Sequence, residues 1–89
     1  MITRKITITN KLGLHARASA KLVTTASQFE SSVHLKRNQR QVNGKSIMAI
    51  MLLAASKGTE LEIITDGADE LDAMDAILLL INNKFDEGE

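Results

Sequence analysis

The chemistry of this chain concentrates in Leu12-Gly13-Leu14-His15-Ala16-Arg17 and, further along, in Gly44-Lys45-Ser46. An imidazole nitrogen is nucleophilic near neutral pH and its bond to phosphorus is labile. A histidine can therefore accept a phosphoryl group and give it up again. Gly13 supplies the positive-φ backbone that a tight strand-to-helix turn often needs. Such a turn places His15 at or just before the first helical residue. There the free backbone N–H groups, among them those of Ala16 and Ala18, and the positive end of the helix dipole form an anion site. Arg17 adds a planar donor fork suited to phosphate. Together these residue types describe a histidine that carries a phosphoryl group. The same residues also fit a solvated loop histidine ahead of an ordinary helix, and the stretch alone leaves both open.

Ser46 precedes Ile47-Met48-Ala49-Ile50-Met51-Leu52-Leu53, a run apolar on nearly every side. Its hydroxyl is placed to accept a first-turn N–H as an N-cap. A short helix in so small a protein cannot bury every face, so some of Ile47, Met48 and Met51 is expected at the surface. Flexible methionines there suit a patch that docks several partners. The competing reading is that the core takes all three.

The elements that must position these groups follow from periodicity. Ile2, Ile6 and Ile8 alternate with Thr3, Lys5, Thr7 and Thr9, predicting a half-buried strand over 2–9. A helix is expected from Ala16 to about Ser27, its stripe formed by Ala18, Leu22, Ala26 and Phe29. The small residues Ala16, Ala18, Ser19 and Ala20 leave its first turn open to a phosphate or a partner. Ser32–Arg37 and Arg40–Asn43 read as two strands joined by an Asn38-Gln39 turn. The helix after Ser46 is expected to run to about Ala55 and to end at Lys57-Gly58. Thr59–Thr65 is the fourth strand, and Asp69 caps a last helix with the stripe Leu71, Met74, Leu78, Ile81 and Phe85. The tail 86–89 is expected to fray. The order β-α-β-β-α-β-α implies a two-layer α/β fold, its sheet wet on one face and covered by helices on the other.

Composition narrows the function. A chain of 89 residues predicts a single domain, 1–89. With no cysteine there is neither disulfide nor thiolate metal site, and two histidines without a carboxylate cluster predict no metal and no cofactor. His34 falls on the polar face of its strand and is read as having no chemical role. Eleven basic and eleven acidic side chains cancel, so the basic footprint and stacking aromatics of a nucleic-acid binder are missing. Basic residues crowd 4–57 while 66–89 is mostly acidic, which suggests a face that meets an acidic protein partner. No apolar run approaches membrane-spanning length and Ile2–Thr9 alternates instead of forming a signal-peptide core, so no membrane insertion and a cytoplasmic location are expected. The sequence shows no triad or nucleotide loop of an independent enzyme.

Leu12-Gly13-Leu14-His15-Ala16-Arg17, Gly44-Lys45-Ser46-Ile47-Met48 and Lys57-Gly58-Thr59 together resemble the HPr family, the histidine-containing phosphocarriers of the bacterial phosphotransferase system. The resemblance covers essentially the whole chain. It implies an open-faced β-sandwich with four antiparallel strands in the order 1-4-2-3 and three helices on one side. It implies that His15 accepts phosphate at Nδ1 from enzyme I, itself charged by phosphoenolpyruvate, and passes it to a IIA protein or domain. Arg17 then steadies the phosphate. Ser46 matches the regulatory serine modified by an ATP-dependent HPr kinase/phosphorylase. Leu14, Ala20, Lys45, Ile47, Met48 and Met51 fall where the family docks its partners, and a monomer is implied. One position departs: the family usually has proline after the arginine, and here it is Ala18. Asn10-Lys11-Leu12-Gly13 and Asn82-Asn83-Lys84-Phe85-Asp86-Glu87 also resemble the nitrogen-branch carrier NPr, which signals through its phosphorylation state. A plain protein- or RNA-interaction module, with His15 idle, is the third possibility.

Overall fold

The computed structural model describes residues 1–86. Its elements are β1 (Ile2–Thr7), α1 (Ala16–Ala26), β2 (Ser32–Arg37), β3 (Arg40–Asn43), α2 (Ile47–Leu52), β4 (Glu60–Asp66) and α3 (Glu70–Asn82), followed by a short 3-10 segment, Lys84–Asp86. The strands form one antiparallel sheet in the order β1-β4-β2-β3. Register puts Ile6 opposite Leu61, and Leu35 opposite both Ile63 and Val42. This apolar face packs against Ala18, Leu22, Ile50, Met74, Ile77 and Ile81 of the three helices. On the other face Glu62 pairs in register with Lys5 and Lys36, a carboxylate between two ammonium groups that suits a wet surface. Burying each Leu or Ile is worth about 1.5–3 kcal/mol, so an aliphatic core suffices, with Phe85 the only fully buried ring among the described residues.

Several local features differ from the expectation. The first strand ends at Thr7 and not Thr9, although Ile8 continues inward, fully buried, and exchanges backbone hydrogen bonds with Gly58 and Thr59. α2 stops at Leu52, well short of Ala55, and Lys57-Gly58 lies beyond it in a separate turn closed by Thr59 N–H to Ser56 O. What ends the helix is Ala54 at φ +51, a conformation that costs an L-residue about 1–2 kcal/mol. The cationic groups at that end come from elsewhere: Arg37 Nη1 donates to Leu53 O (2.7 Å) and Ala54 O (3.0 Å), and Arg40 Nη1 to Leu52 O (3.0 Å).

Asp69 occupies the N-cap position of α3 but makes no capping hydrogen bond. Its carboxylate instead accepts from the Ser31 hydroxyl and from the Glu30 and Ser31 backbone N–H groups, both at 2.9 Å, tying the α1–β2 loop to α3. Those donors, the Ser31 hydroxyl foremost, lower its pKa from 3.8 to about 2. The α3 stripe is Ala73, Met74, Ile77 and Ile81, with Leu78 partly buried, while Leu71 is 58% exposed. Phe85 is buried as expected, but it lies past the helix, where Lys84, Phe85 and Asp86 all take positive φ. Phe29, assigned to the α1 stripe, also lies past its helix and is half-buried. Of the tail expected to fray, 87–89 lies outside the described residues.

Candidate functional site

The turn that carries His15 is built by its neighbours. Gly13 N–H donates to Asn10 O (3.2 Å), and the Asn10 side chain, fully buried, donates back to Gly13 O (2.8 Å). Gly13 takes φ +66, the conformation the sequence required of it. Leu14 N–H then donates to Ala55 O (2.8 Å), fastening the turn to the segment after α2. Ser19 Oγ, buried, donates to Leu14 O.

His15 is the N-cap residue of α1, with extended backbone (φ −78, ψ −178), and its carbonyl accepts the first helical bond from Ser19 N–H. Its Nδ1 accepts from the Arg17 backbone N–H at 3.3 Å. The neutral ring therefore carries its proton on Nε2 and turns the Nδ1 lone pair toward the helix end. The first turn of α1 contains no acidic residue, so no carboxylate there competes for its amides or its dipole. His15 is half-buried; Ala16 and Arg17 are exposed.

These three residues line an open recess of about 670 Å³ with Lys11, Leu12, Lys21 and Asp86. Lys21 follows Arg17 by one helical turn, a spacing legible in the sequence. Asp86 arrives from the C-terminal segment, where Lys21 Nζ donates to Phe85 O (2.7 Å), and nothing local in the sequence announces it. Ala18 contributes its backbone to the same helix end, while its side chain is fully buried against the core.

Ser46 caps α2 as expected: its hydroxyl accepts from Ala49 N–H at 3.3 Å. The helix divides its apolar residues. Ile50 is fully buried, whereas Met48 (77%), Leu52 (64%), Met51 (43%) and Ile47 (40%) are exposed. The alternative in which the core takes Ile47, Met48 and Met51 is thus excluded, and Leu52 joins them. Three members of the expected docking set sit differently. Leu14 is buried in the core at 5% exposure, its backbone N–H bonded to Ala55 O, so its side chain offers little surface to a partner. Ala20 is half-buried, and Lys45 is tied down by Nζ donating to Phe29 O (2.8 Å). His34 is half-buried on β2. Among the described residues there is no group of three or more His, Cys, Asp or Glu that could hold a metal, and no helix long and apolar enough to cross a membrane.

Comparison with known proteins gives consistent results. A family model described as the PTS HPr component phosphorylation site matches residues 2–83. The chain is 60% identical over 89 residues to the phosphocarrier protein HPr of Neisseria meningitidis serogroup A, covering 100% of both. It superposes with a TM-score of 0.95 on the crystal structure of HPr-C-His from Thermoanaerobacter tengcongensis, 44% identical and covering 98% of each chain. A crystal structure of an HPr dimer from the same organism matches with a TM-score of 0.77, at 44% identity over 96% of this chain and 98% of that one.

Proposed function

The chain belongs to the HPr family, the phosphocarrier component of the bacterial phosphotransferase system, and from that premise we propose that His15 takes a phosphoryl group from enzyme I and hands it to a IIA protein. The observation that carries this is the Nδ1 lone pair held at the helix end by the Arg17 amide. In the acceptor step Nδ1 uses that pair to attack phosphorus. The Nδ1–P bond forms as the bond from phosphorus to the donor's leaving atom breaks, and the leaving atom keeps its electrons. The proton on Nε2 stays in place. The first-turn amides, which the helix does not use, and the Arg17 guanidinium then face the phosphoryl oxygens. The onward step is the same reaction reversed toward a new acceptor.

A carrier must not bind its cargo too well. Arg17 and Ala16 are exposed and the recess is open, so the charge interactions are screened by water and the phosphoryl group stays transferable. Alignment of donor and acceptor comes from the partner, which docks on the exposed apolar residues of α2. The chain acts in the cytoplasm as one domain, and as a monomer, which sedimentation at micromolar concentration checks.

Ser46 is the regulatory position. Phosphate there adds about −1.5 to −2 charges at a helix N-terminus, where the dipole and the Ala49 amide favour it. The fold is retained, but charge and hydration are placed beside Ile47 and Met48, which must be desolvated for docking. The modification weakens transfer from enzyme I without unfolding the carrier. An HPr kinase/phosphorylase is the partner that installs it.

Incubation with enzyme I and labelled phosphoenolpyruvate tests the central claim. An acid-labile, base-stable label is expected on the wild type and not on His15→Ala, and adding a IIA protein should discharge it. Competing sugar-branch and nitrogen-branch IIA proteins in that second step identify the acceptor. No label on wild type, or an undiminished label on His15→Ala, contradicts the proposal.

A further inference from the structure

α2 is a weak helix by its own means. It has six residues, too few for a helix to persist unaided, and only Ile50 among them is fully buried. Its last turn has no basic residue. Four successive carbonyls from its end, Leu52 to Ala55, nevertheless all accept hydrogen bonds from distant parts of the chain. Leu52 O takes Arg40 Nη1, Leu53 O and Ala54 O take Arg37 Nη1, and Ala55 O takes the backbone N–H of Leu14. Leu14 immediately precedes His15. The segment Leu52–Ala55 is thus a splint, joined to the apolar patch at one end and to the histidine turn at the other.

Arg37 and Arg40 anchor that splint. They are cross-strand partners at the end of the β2–β3 hairpin, facing each other in register. Like charges directly opposite on neighbouring strands weaken a sheet. Here both guanidiniums reach away from the hairpin onto carbonyls at the negative end of a helix, where a cation is favoured.

We infer that Arg37 and Arg40 are positioning residues for partner docking: through the Leu52–Ala55 carbonyls they hold the patch of Ile47, Met48, Met51 and Leu52 in fixed relation to His15. The inference rests on the proposal that this patch docks enzyme I. In this role the two arginines act through the Leu52–Ala54 carbonyls and not on the phosphoryl group itself. Their removal therefore weakens productive encounter and leaves the chemical step, once the complex is aligned, unchanged.

The test is steady-state phosphotransfer from enzyme I with the full-length chain as varied substrate, comparing wild type, Arg40→Gln, Arg37→Gln with Arg40→Gln, the corresponding lysine pair, and Met48→Asp. Amide hydrogen exchange of Ile50 to Leu53 is followed in parallel, and Arg40→Gln, which loses a single hydrogen bond, serves if the double variant does not fold. The glutamine pair should raise KM about fivefold to tenfold with kcat within about twofold, and speed exchange at α2. The lysine pair, which keeps charge and donors, should recover most of the KM. Three results overturn the inference. In the first, KM rises in Met48→Asp but is unmoved in the glutamine pair, which leaves the docking patch standing. In the second, kcat falls as far as KM rises. In the third, neither the glutamine pair nor Met48→Asp moves KM, and the docking role of α2 is then wrong as well.

Discussion

Replacing Gly13 by alanine probes how tightly the histidine turn is built. An added Cβ would lie 2.7 Å from Ser56 Cα and inside contact distance of Ala55 O, both backbone atoms that cannot swing aside. The left-handed φ of +66 costs an L-residue about 1–2 kcal/mol. Relieving the clash moves Ala55 O away from Leu14 N–H, a hydrogen bond worth about 0.5–1.5 kcal/mol. Against this, alanine makes the unfolded chain less flexible, a gain of about 0.4–1 kcal/mol. With backbone strain around Ala55 and Ser56 added, Gly13→Ala should lose about 2–4 kcal/mol in urea denaturation. Gly58→Ala is the control: it has φ +91 but nothing within 4 Å of its would-be Cβ, so it pays for conformation alone. The difference between the two isolates the close approach at the turn. Because the displaced backbone carries His15, phosphotransfer by the folded fraction of Gly13→Ala should also fall, by about tenfold or more. A loss below about 0.5 kcal/mol, or one equal to that of Gly58→Ala, would refute the packing argument.

Asp69 sets a pH dependence. Its folded pKa of about 2 lies below the unfolded 3.8, so the stability it supplies is fully present above 3.8 and is lost as pH falls toward 2. Asp69→Asn should flatten that part of the acid-unfolding profile, and an unchanged slope would show that the loop clamp contributes nothing. Ser46→Asp should lower transfer from enzyme I while melting within a few degrees of wild type; equal transfer rates would reject a regulatory role. Ser46→Ala, which loses only the cap, should cost about 1 kcal/mol and leave transfer intact. Ala18→Pro should fold and transfer within about tenfold of wild type, since the N–H at this first-turn position has no helical acceptor; a larger loss would show that the position is not merely tolerant.

Legibility in the sequence followed the range of the interaction. His15 at the helix start, Gly13 at positive φ and Ser46 as a cap depend on a few neighbouring residues, and all three are where the sequence put them. Strand faces were equally local, since alternation at Ile2, Ile6 and Ile8 or at Val33 and Leu35 sorts them directly. What failed were features decided by groups distant in the chain. α2 ends early where Ala54 turns to positive φ, and the carbonyls left there are served by arginines from the distant β2–β3 hairpin. Asp69 left its expected cap for the Glu30–Ser31 loop. Leu14, which the family resemblance places among the docking residues, is buried, with its backbone N–H bonded to Ala55 O some forty residues away. Lys21 was readable from helical spacing, while Asp86 reaches the recess only through the fold of the C-terminal segment.

Which ring nitrogen of His15 becomes phosphorylated is the decisive question. Nuclear magnetic resonance of the isotope-labelled chain, charged by enzyme I and phosphoenolpyruvate, distinguishes the two nitrogens through their coupling to phosphorus. Coupling at Nδ1, together with a shift of the Arg17 amide as it exchanges the ring nitrogen for a phosphoryl oxygen, is the predicted result. Phosphate on Nε2, or an Arg17 amide indifferent to charging, would contradict it.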